Sequence, residues 1–291
     1  MPTAVHVRRA TALGGALLLA LTAGLAAATC ASASGGGYVS LGDSYVAGPL
    51  IATQSGGLCL RSSHNYPSLT AAALGLSLTD VSCSGATTTE MTAAQTDDGV
   101  TVNAPQLDAV TASTSVVTLG IGGNDIGFTG IIETCAEESL SSPFGSPCTG
   151  HYTAGGTDQL AAAITATGPK VAAVLTEIHR IAPNARVYLV GYPDILPEYS
   201  DGCWPIVPIA YGDVGYLRQT EKELNAMLAA QAAAHGATYV DTYTPTIGHD
   251  VCQSPGTKWI EGLVPTSPAA PFHPNALGEA AMARALESAI G

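Results

Sequence analysis

Short apolar runs alternate along this chain with stretches of helical character, and that alternation restricts the fold more than any other feature of the sequence. The apolar runs predict buried strands at 37–41, 77–82, 116–121, 186–190 and 238–240. Helices are predicted at 66–74, 104–110, 158–166, 169–181, 214–234 and 275–290. Strands that are separated by helices connect through crossovers, so the pattern predicts a parallel sheet covered by helices on both faces.

Polar residues and glycines follow three of the predicted strands, at the edge where ligands bind in sheets of this kind. Ser44 follows the first strand, Gly85 follows the second and Asn124 follows the third. A serine in this place is often only a helix N-cap, and a Gly-Asn sequence is often only a turn. Together the three residues supply a nucleophilic hydroxyl, a main-chain N–H and a side-chain amide that can hold an oxyanion.

A histidine near the C-terminal end completes this set. His273 stands directly before Pro274 and the last predicted helix. An isolated histidine is more often structural than catalytic, but a serine nucleophile needs a base of this type. Ser44 and His273 are therefore the candidate catalytic residues.

The order of these residues resembles the GDSL, or SGNH, hydrolase superfamily. Its first sequence block is matched by Gly42-Asp43-Ser44, its second by Gly85, its third by Gly122-x-Asn124 and its last by His273. The resemblance covers most of the chain beyond the N-terminal segment. Gly191-Tyr192-Pro193 and the cysteines are similar to those of secreted bacterial lipases and esterases of this group.

The resemblance implies a three-layer α/β/α sandwich with a central parallel sheet, flavodoxin-like in arrangement, and a hydrolase of carboxylic esters. Ser44 would attack the ester carbonyl while His273 acts first as base and then as acid. The backbone N–H groups of Ser44 and Gly85 and the Asn124 amide would form the oxyanion hole. Asp43 is expected to brace the turn, and neither a cofactor nor a metal is expected.

One position departs from the superfamily pattern. The superfamily usually has an aspartate three residues before the histidine, and Ala270 stands there in this chain. Some secreted relatives use a main-chain carbonyl instead, and residues 269–271 would supply it. A Ser–His dyad is therefore expected, with Asp194, Asp241 and Asp250 as alternative acids from elsewhere in the chain.

The N-terminal segment has the features of a secretory signal. Arg8-Arg9 precedes an apolar run at 12–28, and Ala31-Ser32-Ala33 has the small residues of a cleavage site. Residues 1–33 are therefore predicted to be a signal peptide, and residues 34–291 a single hydrolase domain found outside the cell. A membrane anchor at the N-terminus is the alternative.

The chain has seven cysteines. Removal of the signal peptide takes away Cys30, for which lipid attachment is a further alternative. An even number of cysteines then remains, which in an exported chain predicts disulfides. A zinc site is disfavoured because neither C-x-x-C nor H-E-x-x-H occurs. Sequential pairing closes loops of modest length and is preferred: Cys59–Cys83, Cys135–Cys148 and Cys203–Cys252.

Charge limits the partners of this chain. Lys and Arg number 10 against 23 Asp and Glu, which gives a formal net charge of −13. Such a chain offers no basic surface to nucleic acid or to an anionic membrane. No second long apolar run occurs, so no stable membrane span is predicted after the signal. The expected partner is a small-molecule or lipid ester, and the expected state is a monomer.

The sequence leaves the substrate open. The largely apolar stretch 199–216 would either form the wall of an acyl-chain groove or pack in the core. A lipase- or esterase-type serine hydrolase is preferred, with a phospholipase A1 or a polysaccharide or acyl-sugar esterase on the same site as the alternative. Two other classes are a metallophosphatase with Asp43, Asn124, Asp125 and histidines as ligands, and a non-catalytic binding module.

Overall fold

The computed structural model of the protein describes residues 1–4 and 37–291. Most of the predicted signal peptide, its cleavage site and Cys30 fall in 5–36 and lie outside the described residues. In the described part of the chain, no helix combines the length and the apolar character needed to cross a membrane.

The centre of the fold is a parallel sheet. The strands are β1 (Gly37–Gly42), β2 (Ser77–Asp80), β3 (Gln95–Asp97), β4 (Val100–Asn103), β5 (Thr114–Gly120), β6 (Arg186–Val190) and β7 (Thr238–Val240). Five of them pair in parallel in the order β2-β1-β5-β6-β7, while β3 and β4 form a separate antiparallel hairpin. This is the strand order of flavodoxin-like sheets, so the predicted parallel α/β fold is confirmed.

Helices cover both faces of the sheet. They are α1 (Ser44–Ala47), α2 (Tyr66–Leu74), α3 (Phe128–Ser141), α4 (Pro147–Thr153), α5 (Gln159–Ile181), α6 (Val214–Ala234) and α7 (Ala276–Ile290). The pair α2 and α7 packs on one face, and the pair α5 and α6 packs on the other. The result is the expected three-layer arrangement, with an apolar core on each side of the sheet.

Alternate side chains of each strand enter the two cores. In β1, Tyr38 packs in the core beside α2 and α7, whereas Val39 and Leu41 pack in the core beside α5 and α6. In β6, Val187 and Tyr188 divide between the two cores in the same way. Because both faces of the strands are buried, their sequences are continuous apolar runs without polar alternation.

The predicted helix break at Pro169 is wrong. A single helix, α5, runs through this proline, although proline removes one helical hydrogen bond. Pro169 lies on the exposed side, and Ile164 and Val171 on either side of it are buried in the same core. Packing along the whole helix therefore offsets the local loss.

The helix predicted at 104–110 is also wrong, because the chain there makes only a 3₁₀ turn at Gln106–Ala109. The turn places the buried Gln106 side chain against the end of β1. The backbone N–H of Gly42 donates to Gln106 Oε1 at 2.7 Å, and Gln106 Nε2 donates to the Gly42 carbonyl at 2.9 Å. The Gln106 side chain thus satisfies the N–H and the carbonyl of Gly42, the last residue of β1.

Besides the one-turn helix α1, two helices and the hairpin were not expected from the sequence. The segments that form α3, α4 and the β3–β4 hairpin contain many Ser, Thr, Gly, Glu and Asp residues and few apolar ones. Such composition is typical of loops, so local pattern gave no signal for these elements.

The six cysteines of the described chain are joined in sequential order. Cys59–Cys83 links the segment after α1 to the loop after β2, and Cys135–Cys148 links α3 to α4. Cys203–Cys252 links the loops that follow β6 and β7. Each disulfide therefore fixes a segment at the carboxyl-terminal edge of the sheet.

Replacement of Gly42 by alanine is expected to destabilise the protein. Gly42 has a φ of +152°, and a Cβ there would overlap the Val46 side chain and the Gly120 carbonyl oxygen. Strain and overlap together should lower the free energy of unfolding by about 2–3 kcal/mol in urea denaturation.

Gly37→Ala is the matched control for this substitution, at the other end of the same strand. A Cβ at Gly37 would meet nothing within 4 Å, so the change in unfolding free energy should stay below about 0.5 kcal/mol. Equal effects of the two substitutions would contradict the close approach at Gly42.

Candidate active site

The site lies where the direction of the sheet connections reverses. After β1 the chain crosses to β2 on one side, and after β5 it crosses to β6 on the other. A crevice opens at the carboxyl ends of two such strands because their crossovers diverge. Ser44 is the first residue of α1, two residues after the end of β1, and Asn124 follows β5. Both predicted residues therefore lie at this crevice.

His273 connects to Ser44 by a direct hydrogen bond. Its Nε2 lies 2.7 Å from Ser44 Oγ, and its Nδ1 lies 2.7 Å from the carbonyl oxygen of Pro271. A carbonyl only accepts, so Nδ1 carries the proton and donates to Pro271. Nε2 is then free to accept the Ser44 proton, which is the tautomer that a general base requires.

The partner of His273 is a main-chain carbonyl from the stretch 269–271 that the sequence had suggested. Two of the alternative acids are bonded elsewhere. Asp241 accepts from the N–H groups of Tyr243 and Thr244, and Asp250 accepts from Cys252 N–H and the Gln253 amide. The third, Asp194, is buried beside Glu221.

Aromatic rings surround the imidazole of His273. The Tyr45 ring stacks on it with 4.7 Å between ring centroids, and Phe128 approaches it edge-on at 6.4 Å. The Tyr45 hydroxyl also donates to the carbonyl of Phe272 at 2.6 Å. Removal of water by these neighbours lowers the pKa of His273 to about 4, although the Pro271 carbonyl favours the charged form. The base is therefore neutral over most of the pH range.

A buried carboxylate holds the segment that carries His273. Glu261 N–H donates to the His273 carbonyl at 2.9 Å, and its carboxylate accepts from Asn275, Thr266 and Lys258. Sequence analysis missed Glu261 and Lys258, since two charged residues in a loop resemble a solvated surface. Only their burial in the structure reveals the role.

The predicted oxyanion donors lie together around the crevice. Within residues 37–291, the backbone N–H groups of Ser44 and Gly85 have no hydrogen-bond partner. Asn124 Nδ2 donates to the carbonyl of Ala86 at 2.9 Å, which ties the loop after β5 to the loop that contains Gly85. The Cys59–Cys83 bond anchors that second loop. Two open main-chain donors and one oriented amide are thus available to an oxyanion.

A buried network joins the two loops beneath these donors. The Asp43 carboxylate accepts from Tyr45 N–H at 2.9 Å and from the Tyr192 hydroxyl. The Tyr192 oxygen in turn accepts from Gly123 N–H at 2.8 Å, beside Asn124. Burial raises the pKa of Asp43 to about 7. The network fits the expected bracing role of Asp43 and adds Tyr192, whose signal in the sequence was only its place in the Gly-Tyr-Pro motif.

The metal-ligand alternative finds no support in this geometry. Asp125 accepts from both the N–H and the hydroxyl of Thr88 and lies 3.4 Å from the ammonium of Lys170. Asp43 is held by the bonds just described. Both carboxylates thus serve as structural acceptors.

A cavity of about 60 Å³ adjoins Ser44 and Asn124. Its walls are mainly apolar side chains from α3, α6, the loop after β5 and the loop after β6: Ile126, Phe128, Ile131, Ile132, Ile195, Leu196, Leu217 and Leu224. The stretch 199–216 supplies none of the lining, and its Val207 and Ile209 are buried in the core. Of the two interpretations of that stretch, core packing applies to these residues.

The comparison with known proteins decides the family. The model of the GDSL-like lipase/acylhydrolase family matches residues 40–281, from β1 into α7. The chain belongs to this family. Lipase 2 of Streptomyces coelicolor is 43% identical over 283 residues, which are 95% of this chain and 94% of that protein.

Solved structures agree with the assignment. Phospholipase A1 from Streptomyces albidoflavus superposes with a TM-score of 0.71, and an extracellular lipase from Streptomyces rimosus with a TM-score of 0.70. Each is 28% identical, and each match covers 87% of this chain and 99% of the other. This GDSL-family protein is therefore a carboxylic ester hydrolase on an α/β fold.

The pH dependence of the GDSL-family hydrolase should reflect the lowered pKa of the half-buried His273 imidazole. His273 accepts a proton only when neutral, so kcat/KM should fall on the acid side with a midpoint near pH 4, below the ordinary value of 6.5. The measurement is ester hydrolysis from pH 3 to 8, after a check that the protein stays folded at each pH.

Phe128→Ala provides the comparison for this pH profile. Loss of the ring admits water to His273, and its midpoint should move upward toward 6.5. A native midpoint near 6.5 that does not respond to Phe128→Ala would contradict the desolvation of the imidazole.

Proposed function

We propose that the protein is a secreted lipase- or esterase-type serine hydrolase that forms an acyl-enzyme on Ser44. The observation that carries this proposal is the chain of hydrogen bonds from Ser44 through His273 to the Pro271 carbonyl, beside an apolar cavity. A nucleophile and a base of correct tautomer within bonding distance are the geometry that acyl transfer requires.

The reaction would begin with attack of Ser44 Oγ on the ester carbonyl carbon. The hydroxyl proton passes to His273 Nε2, and the carbonyl oxygen becomes an oxyanion bound by the N–H groups of Ser44 and Gly85 and the Asn124 amide. His273 then gives the proton to the leaving alcohol oxygen as the C–O bond breaks. A water molecule repeats these steps on the acyl-enzyme, and the carboxylic acid and free Ser44 result.

The absence of a carboxylate at Ala270 changes which groups stabilise the transition state of this mechanism. A carbonyl dipole at Pro271 orients the imidazole but stabilises the imidazolium less than an ionised acid would. The oxyanion donors would therefore carry a larger share of the transition-state stabilisation.

An aliphatic or lipid ester is the substrate class that fits the cavity best, because the walls beside Ser44 are mainly apolar. Phospholipase A1 activity on the same site is the second candidate, supported by the likeness to the Streptomyces albidoflavus enzyme of that name. A polysaccharide or acyl-sugar ester fits less well, since these walls offer few groups to a sugar. We expect residues 34–291 to act outside the cell as a monomer, after removal of residues 1–33.

Ser44→Ala should abolish hydrolysis. Native protein and variant are compared on p-nitrophenyl esters from acetate to palmitate, and the chain-length profile of the native protein distinguishes esterase from lipase. Loss of the nucleophile should reduce kcat/KM by roughly 10⁴–10⁶-fold. Ser63→Ala, an exposed serine outside the cavity, is the control. Full activity of Ser44→Ala would reject the acyl-enzyme.

Asn124→Ala should lower kcat by about 10²–10³-fold with little change in KM, because the amide acts on the oxyanion and not on the bound ester. Asn103→Ala is a matched control: Asn103 Nδ2 also donates to a main-chain carbonyl at 2.9 Å, that of Val81. Equal loss in both variants would mean that the amide at 124 serves only to hold its loop.

A further inference from the structure

One carboxyl group lies in the wall of the otherwise apolar cavity beside Ser44. Glu221 is on α6, between Leu217 and Leu224, which line the same cavity one turn before and after it. Its Oε2 accepts a hydrogen bond from Ile195 N–H at 3.4 Å. Its Oε1 is buried and has no partner anywhere in the described chain.

Within residues 37–291, no basic side chain forms an ion pair with this carboxyl. The neighbouring Lys222 pairs its ammonium with Glu198 at 2.6 Å. Burial and the nearby Asp194 carboxyl both raise the pKa of Glu221 well above its ordinary value. A raised pKa favours the neutral carboxylic acid, which has an O–H that donates and a carbonyl oxygen that accepts.

The other polar side chains of the cavity wall already have partners. The Thr220 hydroxyl donates to the Tyr216 carbonyl within its own helix, and the Tyr192 hydroxyl donates to Asp43. Ser44 and Asn124 belong to the reaction centre. Among the lining side chains of residues 37–291 that lie outside the reaction centre, Glu221 alone has a buried hydrogen-bonding oxygen without a partner.

A purely alkyl acyl chain would leave this oxygen unpaired in an apolar wall, which is unfavourable. An acyl chain that carries its own oxygen would satisfy it. We infer that Glu221 is a specificity-determining residue that selects esters whose acyl chain bears a hydroxyl or keto oxygen remote from the ester bond. This inference rests on the proposed function, since it assigns the cavity to the acyl group.

The test compares ethyl hexanoate with its 4-oxo, 5-oxo and 6-hydroxy derivatives. In each derivative at least two carbons separate the added oxygen from the ester carbonyl, so the intrinsic reactivity of the ester changes little. The native protein should hydrolyse one derivative with kcat/KM about tenfold above that of ethyl hexanoate, since a site built around a hydrogen bond discriminates against the ligand that lacks it.

Variants of Glu221 assign the preference to its carboxyl. Glu221→Gln keeps a neutral hydrogen-bonding group of the same shape and should keep most of the preference. Glu221→Leu should reduce the ratio of kcat/KM for the preferred derivative to kcat/KM for ethyl hexanoate to one or below. Thr220→Val, the adjacent polar residue of the wall, is the control and should leave the ratio unchanged. Thermal unfolding of each variant checks that it is folded.

The outcomes separate the inference from the proposed function. Hydrolysis of ethyl hexanoate without preference for any derivative would overturn the role of Glu221 and leave the ester hydrolase intact. A preference that persists in Glu221→Leu, or that disappears in Thr220→Val, would also overturn it. Failure to hydrolyse any ester, with Ser44→Ala indistinguishable from the native protein, would instead overturn the proposed function.

Discussion

The close approach of β1 and β5 at their carboxyl ends is the constraint on which the rest of the site depends. Gly42 has no side chain, so the backbone of β5 and the side chain of Val46 pack directly against it. Asp43 N–H then donates to the Gly120 carbonyl at 3.0 Å. This bond extends the strand pairing by one residue, and Ser44 starts its helix beside the loop that carries Asn124.

The charge balance around Ser44 follows from burial. The protein is acidic, yet three buried carboxyls near the crevice keep their protons to a higher pH than ordinary acids do. Burial raises the pKa of Asp43 and of Asp194 to about 7, and it raises the pKa of Glu221 well above its ordinary value. Negative charge next to a developing oxyanion would oppose it. Burial of these acids, with the partial burial of His273, thus reduces the like charge that an oxyanion beside Ser44 would face.

Sequence patterns predicted the positions that can be recognised from neighbouring residues or from their order along the chain. Ser44 was found because it directly follows a buried strand, and His273 because it precedes the last helix in the order typical of the family. The helices α2 and α6 were predicted to the residue, since their periodicity is local. By contrast, Gln106 was assigned to a helix. Its side-chain hydrogen bonds to Gly42 join residues 64 positions apart, so they leave no local pattern in the sequence.

The sequence by itself determined the alternation of strands and helices, the order of the site residues and the family to which the chain belongs. Only the tertiary structure decided which group faces His273 Nδ1, which segments form the cavity wall and where Glu221 is left without a partner. Strand and helix periods are properties of neighbouring residues, whereas these contacts join residues far apart in the chain. They exist only after both cores have packed, because packing fixes the distances and removes the water that would otherwise satisfy each polar group.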